Sequence, residues 1–445
     1  MRLLIVDYAG SGLDIALRAA AAGHQVKLAI KQGEKQKFIG RGFDQISVVD
    51  DFRPWLRWSE MVLATDNTKY IIELDRHRTE GGLVIAPSPE VALWEHDRQA
   101  GQNVFRRAGV HVLPTIEFDD YDAAIAHVQK TQMRFVSKPN GTDSNDKALS
   151  YCSSGPADMV YMLQRWKKQG KLKNPFVLQE FMPGIEVGIS GWFGPKGWLG
   201  VWEENFEFKK MMDGDRGVAT GEQGTILRYV KQSKLADRVL KPLTKQLFDA
   251  KYVGDIDVNC IIDERGRAWP LEFTARLGWP AFQLQVALLK EKDPITWLYD
   301  LATGNPHNPF FTDRIAIGVV LSIPDYPYSH ATAKEVVGVP IYGVTKALWP
   351  HVHPCEMMVA TVPVQRGNKV VDEPNLCTAG DYVLVMTALG SSVQECRTLV
   401  YRRLERLKKM PSSPMWRTDI GERLSTQLPQ LQSMGYALGM TYSAK

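Results

Sequence analysis

Tyr252-Val253-Gly254-Asp255-Ile256-Asp257-Val258-Asn259-Cys260-Ile261-Ile262-Asp263-Glu264-Arg265-Gly266-Arg267-Ala268-Trp269-Pro270-Leu271-Glu272-Phe273-Thr274-Ala275-Arg276 is the stretch that decides how the chain is read. Two apolar-rich runs, 253–262 and 268–273, flank a turn at Asp263-Glu264-Arg265-Gly266. Side chains alternate faces along a strand, so Asp257 and Asn259 share one face of the first run, and Glu272 and Thr274 one face of the second. If the turn makes the runs antiparallel neighbours, their oxygens converge on one spot. Such a set suits Mg²⁺, with Mn²⁺ as the alternative, because a hard cation takes one or two carboxylates plus substrate phosphates. Arg276, two residues beyond Thr274, is placed to hold a phosphate or carboxylate bidentately. The competing reading is a solvated hairpin with ordinary surface acids, and spacing alone does not separate the two.

Working outward, residues 1–100 alternate strand and helix. Arg2-Leu3-Leu4-Ile5-Val6 reads as a buried strand, Gly10-Ser11-Gly12 as a tight loop, and 13–22 as an alanine-rich helix. Strands follow at 26–30 and 61–64, a pattern that predicts a parallel α/β sheet. The texture changes after Ala86-Pro87-Ser88-Pro89, with short strands at 135–138, 176–180 and 187–190. A third region has strands at 317–323 and 382–386 and a basic helix over 393–409. The predicted division is 1–100, 101–312 and 313–430, with a tail at 431–445 and the loosest structure after residue 424.

Composition narrows the classes further. The 445 residues carry 54 basic and 50 acidic side chains, a balance of +4 that gives nucleic acid no particular pull. No apolar run is long enough to span a bilayer, and the N-terminus passes straight into a strand without a secretory pattern. The five cysteines form no CxxC, which fits a reducing cytoplasm better than a disulfide framework. His351-Val352-His353-Pro354-Cys355 lacks a distant partner to complete a tetrahedral metal set and reads as a structural strand. Arg402-Arg403-Leu404-Glu405-Arg406-Leu407-Lys408-Lys409 reads as an amphipathic helix with a solvated basic face.

A second constellation is Val177-Leu178-Gln179-Glu180-Phe181-Met182-Pro183-Gly184-Ile185-Glu186. A strand leading into a turn offers backbone groups to a planar base, and Glu186 can accept from a ribose diol. Lys138, at the end of an apolar strand, can reach phosphates as a point charge. Taken singly, each is a weak signal, and a strand-end lysine is more often just solvated.

Together, Lys138, the 179–186 segment and Glu272 in Leu271-Glu272-Phe273 stand in the order and spacing of ATP-grasp ligases. From the first strand to about residue 424, the chain resembles the phosphoribosylamine–glycine ligase family. Lys209-Lys210-Met211-Met212-Asp213-Gly214-Asp215-Arg216-Gly217-Val218-Ala219-Thr220-Gly221 is similar to that family's KR–xx–DGDxGPNTG segment. Leu271-Glu272-Phe273-Thr274-Ala275-Arg276-Leu277-Gly278 is similar to LEFNxRFG. Thr387-Ala388-Leu389-Gly390 and Trp416-Arg417-Thr418-Asp419-Ile420-Gly421 are similar to VTALG and YRxDIG.

The resemblance implies an N-terminal parallel α/β (pre-ATP-grasp) domain, central ATP-grasp domains and a C-terminal mixed α/β domain. It also implies a cytoplasmic ATP- and Mg²⁺-dependent ligase, monomeric or homodimeric, that joins a small-molecule carboxylate to an amine through an acyl phosphate. Carried over, Lys138, Lys147, Gln179, Glu180, Phe181, Met182 and Glu186 would bind the nucleotide. Glu272, Asp257 and Asn259 would bind the metal. Arg276, Asp215 and Lys210 would be catalytic, and Gly10, Gly12, Asp213, Thr220 and Trp279 would meet the substrate.

Several segments depart from the family pattern. Thr274 replaces the asparagine of LEFN, which leaves Asp257 or Asn259 to substitute as metal ligand. Pro139-Asn140-Gly141-Thr142-Asp143-Ser144-Asn145-Asp146-Lys147 replaces the glycine-rich phosphate loop, with Lys147 as its lysine. FGDPE has become Leu277-Gly278-Trp279-Pro280-Ala281, and PNTGGMG has become Val218-Ala219-Thr220-Gly221-Glu222-Gln223-Gly224. Gly10-Ser11-Gly12 at a helix start is still placed to bind an anion. The changes cluster on the acceptor side, so the expectation is a ligase with an altered substrate pair. The alternatives are the family's own purine-pathway reaction, a nucleotide-binding protein without turnover, and a ligase attaching an amino acid to a modified nucleotide or nucleic-acid base. No motif supports a nucleic-acid partner.

Overall fold

The apolar run at 3–6 becomes the central strand of a parallel sheet. A computed structural model describes residues 1–8, 10–30, 33–140, 150–171, 175–290, 293–305 and 311–443. β1 (Arg2–Asp7), β2 (Gln25–Ile30), β3 (Ser47–Val49), β4 (Met61–Ala64) and β5 (Val84–Ile85) lie in the order β3-β2-β1-β4-β5, all parallel. Leu3, Leu4 and Ile5 are wholly buried, as a strand covered on both faces requires. The alanine-rich helix forms over Leu13–Ala21.

β6 (Thr115–Phe118), β7 (Phe135–Pro139), β8 (Tyr151–Cys152) and β9 (Phe176–Glu180) form a second, antiparallel sheet in the order β6-β9-β7-β8. The helices Tyr121–Thr131 and Pro156–Lys168 supply Val128, Met159, Leu163 and Trp166 to its own small core.

The remaining strands are β10 (Ile185–Gly194), β11 (Gly197–Met212), β12 (Arg216–Val230), β13 (Gly254–Ile262), β14 (Ala268–Thr274), β15 (Ile315–Ser322), β16 (Val352–Pro354), β17 (Met357–Arg366), β18 (Lys369–Thr378) and β19 (Tyr382–Gly390). Eight of them make one antiparallel sheet, β14-β13-β10-β11-β12-β15-β19-β16, and β17 with β18 forms a separate hairpin. β12 pairs with β15 (Gly224 opposite Val319), so this sheet runs continuously across the division expected at 312/313.

Two sequence expectations change. Residues beyond 424 are packed: helix Leu424–Ser433 buries Leu424, Leu428 and Leu431, and the Tyr436 hydroxyl donates to the Gly266 carbonyl at 2.8 Å. Strands β11 and β12, 16 and 15 residues long, occupy a stretch where the sequence suggested no strand at all. The histidine motif is structural, as read. His353 is wholly buried on β16, with Nδ1 2.8 Å from Asp14 Oδ2 and Nε2 3.0 Å from Thr387 Oγ1, tying the first helix to β19. Among the described residues, no helix is long and apolar enough to cross a membrane.

Candidate active site

The 263–266 turn does make β13 and β14 antiparallel neighbours, with Asp257 opposite Thr274 and Asn259 opposite Glu272. Directly opposed residues in such a pair share a face, so all four side chains lie together. The turn owes its shape to Asp263, whose carboxylate accepts from the backbone N–H groups of Arg265 and Arg267 at 3.0 and 2.9 Å, from Arg267 Nε at 2.7 Å and from Trp269 Nε1 at 3.0 Å.

β10 and β11 extend the same face. Gly188 lies opposite Asn259 on one side and Asn205 on the other. A Cβ at Gly188 would stand 1.9 Å from Asn205 Oδ1, so only glycine leaves room for the Asn205 amide. That amide donates to Asp257 Oδ2 at 2.7 Å, and Asn259 Nδ2 donates to Glu207 Oε2 at 2.8 Å. One step deeper, Gln285 Nε2 donates to both Glu203 Oε2 and Asp255 Oδ2 at 2.7 Å, and Ser190 Oγ donates to Asp255 at 2.7 Å. Burial pushes both carboxyls up, and Glu203 also feels the Asp255 charge beside it.

Cations close the upper edge. Glu272 meets Arg98 Nη1 at 2.5 Å, Lys209 Nζ at 3.4 Å and Lys138 Nζ at 3.9 Å. Lys209 also reaches Glu186 Oε1 at 2.9 Å and Glu207 Oε2 at 3.0 Å. Burial works against the Lys209 ammonium, but the three carboxylates outweigh it and hold its pKa well up. Lys138 is different: burial, helped by Arg98 and Lys209, outweighs Glu272 and brings its pKa down to about 8. An anion placed beside it would raise that pKa again.

These groups line one cavity of about 580 Å³. Its walls include Lys138, Gln179, Glu180, Phe181, Met182 and Glu186, drawn from β7, β9, β10 and the segment that joins β9 to β10. Asp257, Asn259 and Glu272 line it too, as do Arg276, Lys210, Asp215, Thr220 and Trp279. The metal that the resemblance implies finds oxygen donors of the right kind. Asp257 Oδ1 and Asn259 Oδ1 are buried and have no hydrogen-bond partner among the described residues. No three His, Cys, Asp or Glu side chains among those residues form a closed metal group, so phosphate oxygens would have to complete the shell.

Three of the expected site residues are used otherwise. Gly10 and Gly12 do not line this cavity. Their N–H groups donate to Asp7 Oδ1 at 2.9 Å and Asp7 Oδ2 at 2.6 Å, and the Ser11 N–H and Thr65 hydroxyl join at 3.1 and 2.9 Å. The amides offered to an anion are occupied by the chain's own carboxylate, which corrects the anion-loop expectation. Asp213 accepts from the Thr418 N–H at 2.8 Å and docks the β11–β12 turn rather than facing the cavity. Lys147 lies outside the described residues. Asp215 lines the cavity but is clamped by Arg417 at 2.8 Å and Arg423 at 2.9 Å, so its first task is holding that turn. Arg276 is similarly tethered by Glu95 at 3.3 Å.

Arg98, Glu203, Glu207 and Glu222 were not singled out from the sequence, although all line the cavity. A signal for part of the set existed: Glu203, Asn205, Glu207 and Lys209 recur every second residue, the period of a strand face.

No protein-family model matches the chain. The phosphoribosylamine–glycine ligase of Salmonella typhimurium is 23% identical over 363 residues, covering 79% of this chain and 80% of the relative. Among solved structures, phosphoribosylamine–glycine ligase from Thermotoga maritima superposes with a TM-score of 0.70 at 19% identity, over 94% of this chain and 100% of that one. The L-amino acid ligase from Bacillus licheniformis gives 0.57 at 13% identity, over 91% and 98%. The chain has the ATP-grasp fold of these structures and is similar in sequence to phosphoribosylamine–glycine ligases.

Proposed function

We propose that this protein is an ATP- and Mg²⁺-dependent carboxylate–amine ligase whose substrate pair differs from that of its relatives. The observation that carries this reading is the cavity itself. A strand-exit segment suited to a nucleotide base, three basic side chains and a row of oxygen donors come together there from two different sheets and a helix. In the reaction proposed, a carboxylate oxygen takes the γ-phosphoryl group of ATP to give an acyl phosphate and ADP. The amine nitrogen then attacks the acyl carbon, phosphate leaves with the bonding pair, and the nitrogen sheds a proton.

Gln179 to Met182 would hold the base and Glu186 the ribose. Lys138, Lys209 and Arg98 would balance the charge on the transferring group, which is the main demand of phosphoryl transfer. Glu272, Asn259 and Asp257 would hold Mg²⁺, which supplies further neutralisation of phosphate oxygens when bound. Asn259 stands directly opposite Glu272, which makes it the natural substitute for the family asparagine that Thr274 replaces.

An altered pair is favoured by the acceptor side. Where the family has acids after LEFNxRFG, this chain presents Trp279 and Ala281 to the cavity. The ring of Trp279 packs 6.2 Å from that of Tyr382, forming an apolar wall. Such a wall suits a planar or bulky group better than glycine. The test is ADP release from ATP and Mg²⁺ across a panel of amino acids and amines. Release that requires both a carboxylate and an amine, and is absent with glycine plus phosphoribosylamine, is the expected result. Robust growth of purine-auxotrophic cells lacking the relatives' enzyme, rescued by this chain without added purine, would instead assign it their reaction.

A further inference from the structure

β11 and β12 pair regularly until Phe208 opposite Gly224, then resume at Lys210 opposite Ala219. Between these points four residues, Thr220-Gly221-Glu222-Gln223, face the single residue Lys209. A bulge of this kind re-aims side chains and is common beside active sites. Here it presents Thr220, Gly221 and Glu222 to the cavity, anchored by the Thr220 hydroxyl donating to the Lys209 carbonyl at 2.9 Å. It is also the segment where the sequence departs from the family's PNTGGMG.

Glu222 is only 6% exposed, yet it stands on the cavity wall. Thr225 Oγ1 donates to one of its oxygens. Burial first, then the nearby charge of Glu207, pushes the carboxyl well up, with Lys209 opposing. Lys209 is already engaged by Glu186, Glu207 and Glu272. Asp257, on the same cavity and close enough to influence Glu222, is 6% exposed with Oδ1 unpartnered among the described residues. On the bulge itself, Gln223 Oε1 is likewise unpartnered and its residue 1% exposed. Buried acceptors thus gather at the bulge while Lys209 is already engaged, and the Tyr382 hydroxyl is one further buried polar group nearby. A primary ammonium is the complementary group, with three N–H donors, one positive charge and no acceptor.

An apolar wall backs the bulge. Gln223 Nε2 lies 3.4 Å from the Tyr326 hydroxyl, Tyr326 packs on Tyr382 at 5.5 Å between rings, and Tyr382 packs on Trp279.

We propose that Glu222 receives the amine substrate as its ammonium, with Trp279 covering an apolar or aromatic body that carries it. Glu222 is therefore a specificity-determining residue, and the amine class is a primary amine on a hydrophobic scaffold. Glu272, Asn259 and Asp257 are left to the metal. This assignment rests on the ligase reading above.

The experiment is calorimetric titration with phenethylamine and tyramine, and with 2-phenylethanol as the uncharged counterpart. Each is titrated into the protein with and without ADP and Mg²⁺. The expected result is amine binding at least tenfold tighter than the alcohol. Glu222→Gln, which keeps the shape and an oxygen for Thr225, should weaken the amine by about tenfold or more, the value of a charge-assisted contact. ADP affinity should not change in that variant, and Glu222→Asp should recover part of the amine affinity. Equal binding of amine and alcohol, no amine binding, or an amine affinity indifferent to Glu222→Gln overturns the proposal. So does a Glu222→Gln variant that loses affinity for Mg²⁺ alone while keeping the amine. Failure of the wild type to bind ADP would overturn the nucleotide reading separately, because the amine titration is also read without nucleotide.

Discussion

The β13–β14 hairpin and the Gly10-Ser11-Gly12 loop look alike as sequence: each offers a compact set of polar groups beside an apolar strand. In the folded chain they end in opposite states. The hairpin lifts Asp257, Asn259 and Glu272 onto a cavity wall and leaves Asp257 Oδ1 and Asn259 Oδ1 without a hydrogen-bond partner among the described residues. The loop turns its amides inward onto Asp7, three residues before Gly10, and spends them there. A helix N-terminus is a ready anion site only while its N–H groups are free. What separates a ligand site from a self-capped turn is therefore the one residue that can satisfy the motif from within the chain.

That contrast can be broken by substitution. The largest effect is expected at Glu272, where one carboxylate balances Arg98, Lys138 and Lys209. Glu272→Gln should lower ATP turnover by at least about 100-fold, the scale of losing one preorganised charge contact at a reacting phosphoryl group. Steady-state ADP release measures it, with circular dichroism to show that the fold persists. Turnover at the wild-type level under limiting Mg²⁺ would move the metal away from β14.

Next in size is Lys138→Ala. Its ammonium is buried with other cations and gains most from an anion, so ATP affinity should fall by about 1.5–3 kcal/mol. Calorimetry at pH 7 decides it, and unchanged affinity would remove Lys138 from the nucleotide site.

The loop should answer the other way. Asp7→Ala leaves the N–H groups of Gly10, Ser11 and Gly12 without their acceptor, at a cost of about 1–3 kcal/mol in folding stability. Nucleotide affinity should not move. Urea denaturation and calorimetry separate the two quantities. A variant that keeps its stability and gains phosphate affinity would return the loop to the list of anion sites.

Much of the framework was legible from short-range patterning. The parallel N-terminal sheet and the strands at β7, β9, β13, β14, β15 and β19 all carry apolar runs whose period and turn signals stand out. The β11–β12 hairpin did not, because Trp202-Glu203-Glu204-Asn205-Phe206-Glu207 reads as half solvated. In the fold both faces are covered. Glu203 finds Gln285, Glu204 finds Ser233 at 2.6 Å, and Glu207 finds Asn259, partners from 29 to 82 residues away. Local polarity cannot reveal such burial when satisfaction is long-range. The same limit hid Arg98, which reaches Glu272 across 174 residues. The packed end of the chain was missed for a related reason, since the Tyr436 side chain is held by Arg238 and the Gly266 carbonyl, both distant in sequence.

The smallest expected effect tests how the hairpin sets its register. Burial acts to raise the Asp263 carboxyl, but donors from Trp269 and Arg267 outweigh it and hold the pKa down to about 2. A depressed carboxylate contributes stability that is fully present above its unfolded pKa, near 4, and is lost as the pH falls through the folded value. Asp263→Asn keeps one acceptor oxygen and removes the charge, so it should be less stable than wild type at pH 7. The gap should close between about pH 4 and pH 2, as wild-type Asp263 itself takes up a proton. Denaturation midpoints measured at pH 7, 5, 4, 3 and 2 follow it directly. A gap that stays constant across that range would mean that the turn, and with it the pairing of Asn259 with Glu272, is held by shape alone and not by the Asp263 charge.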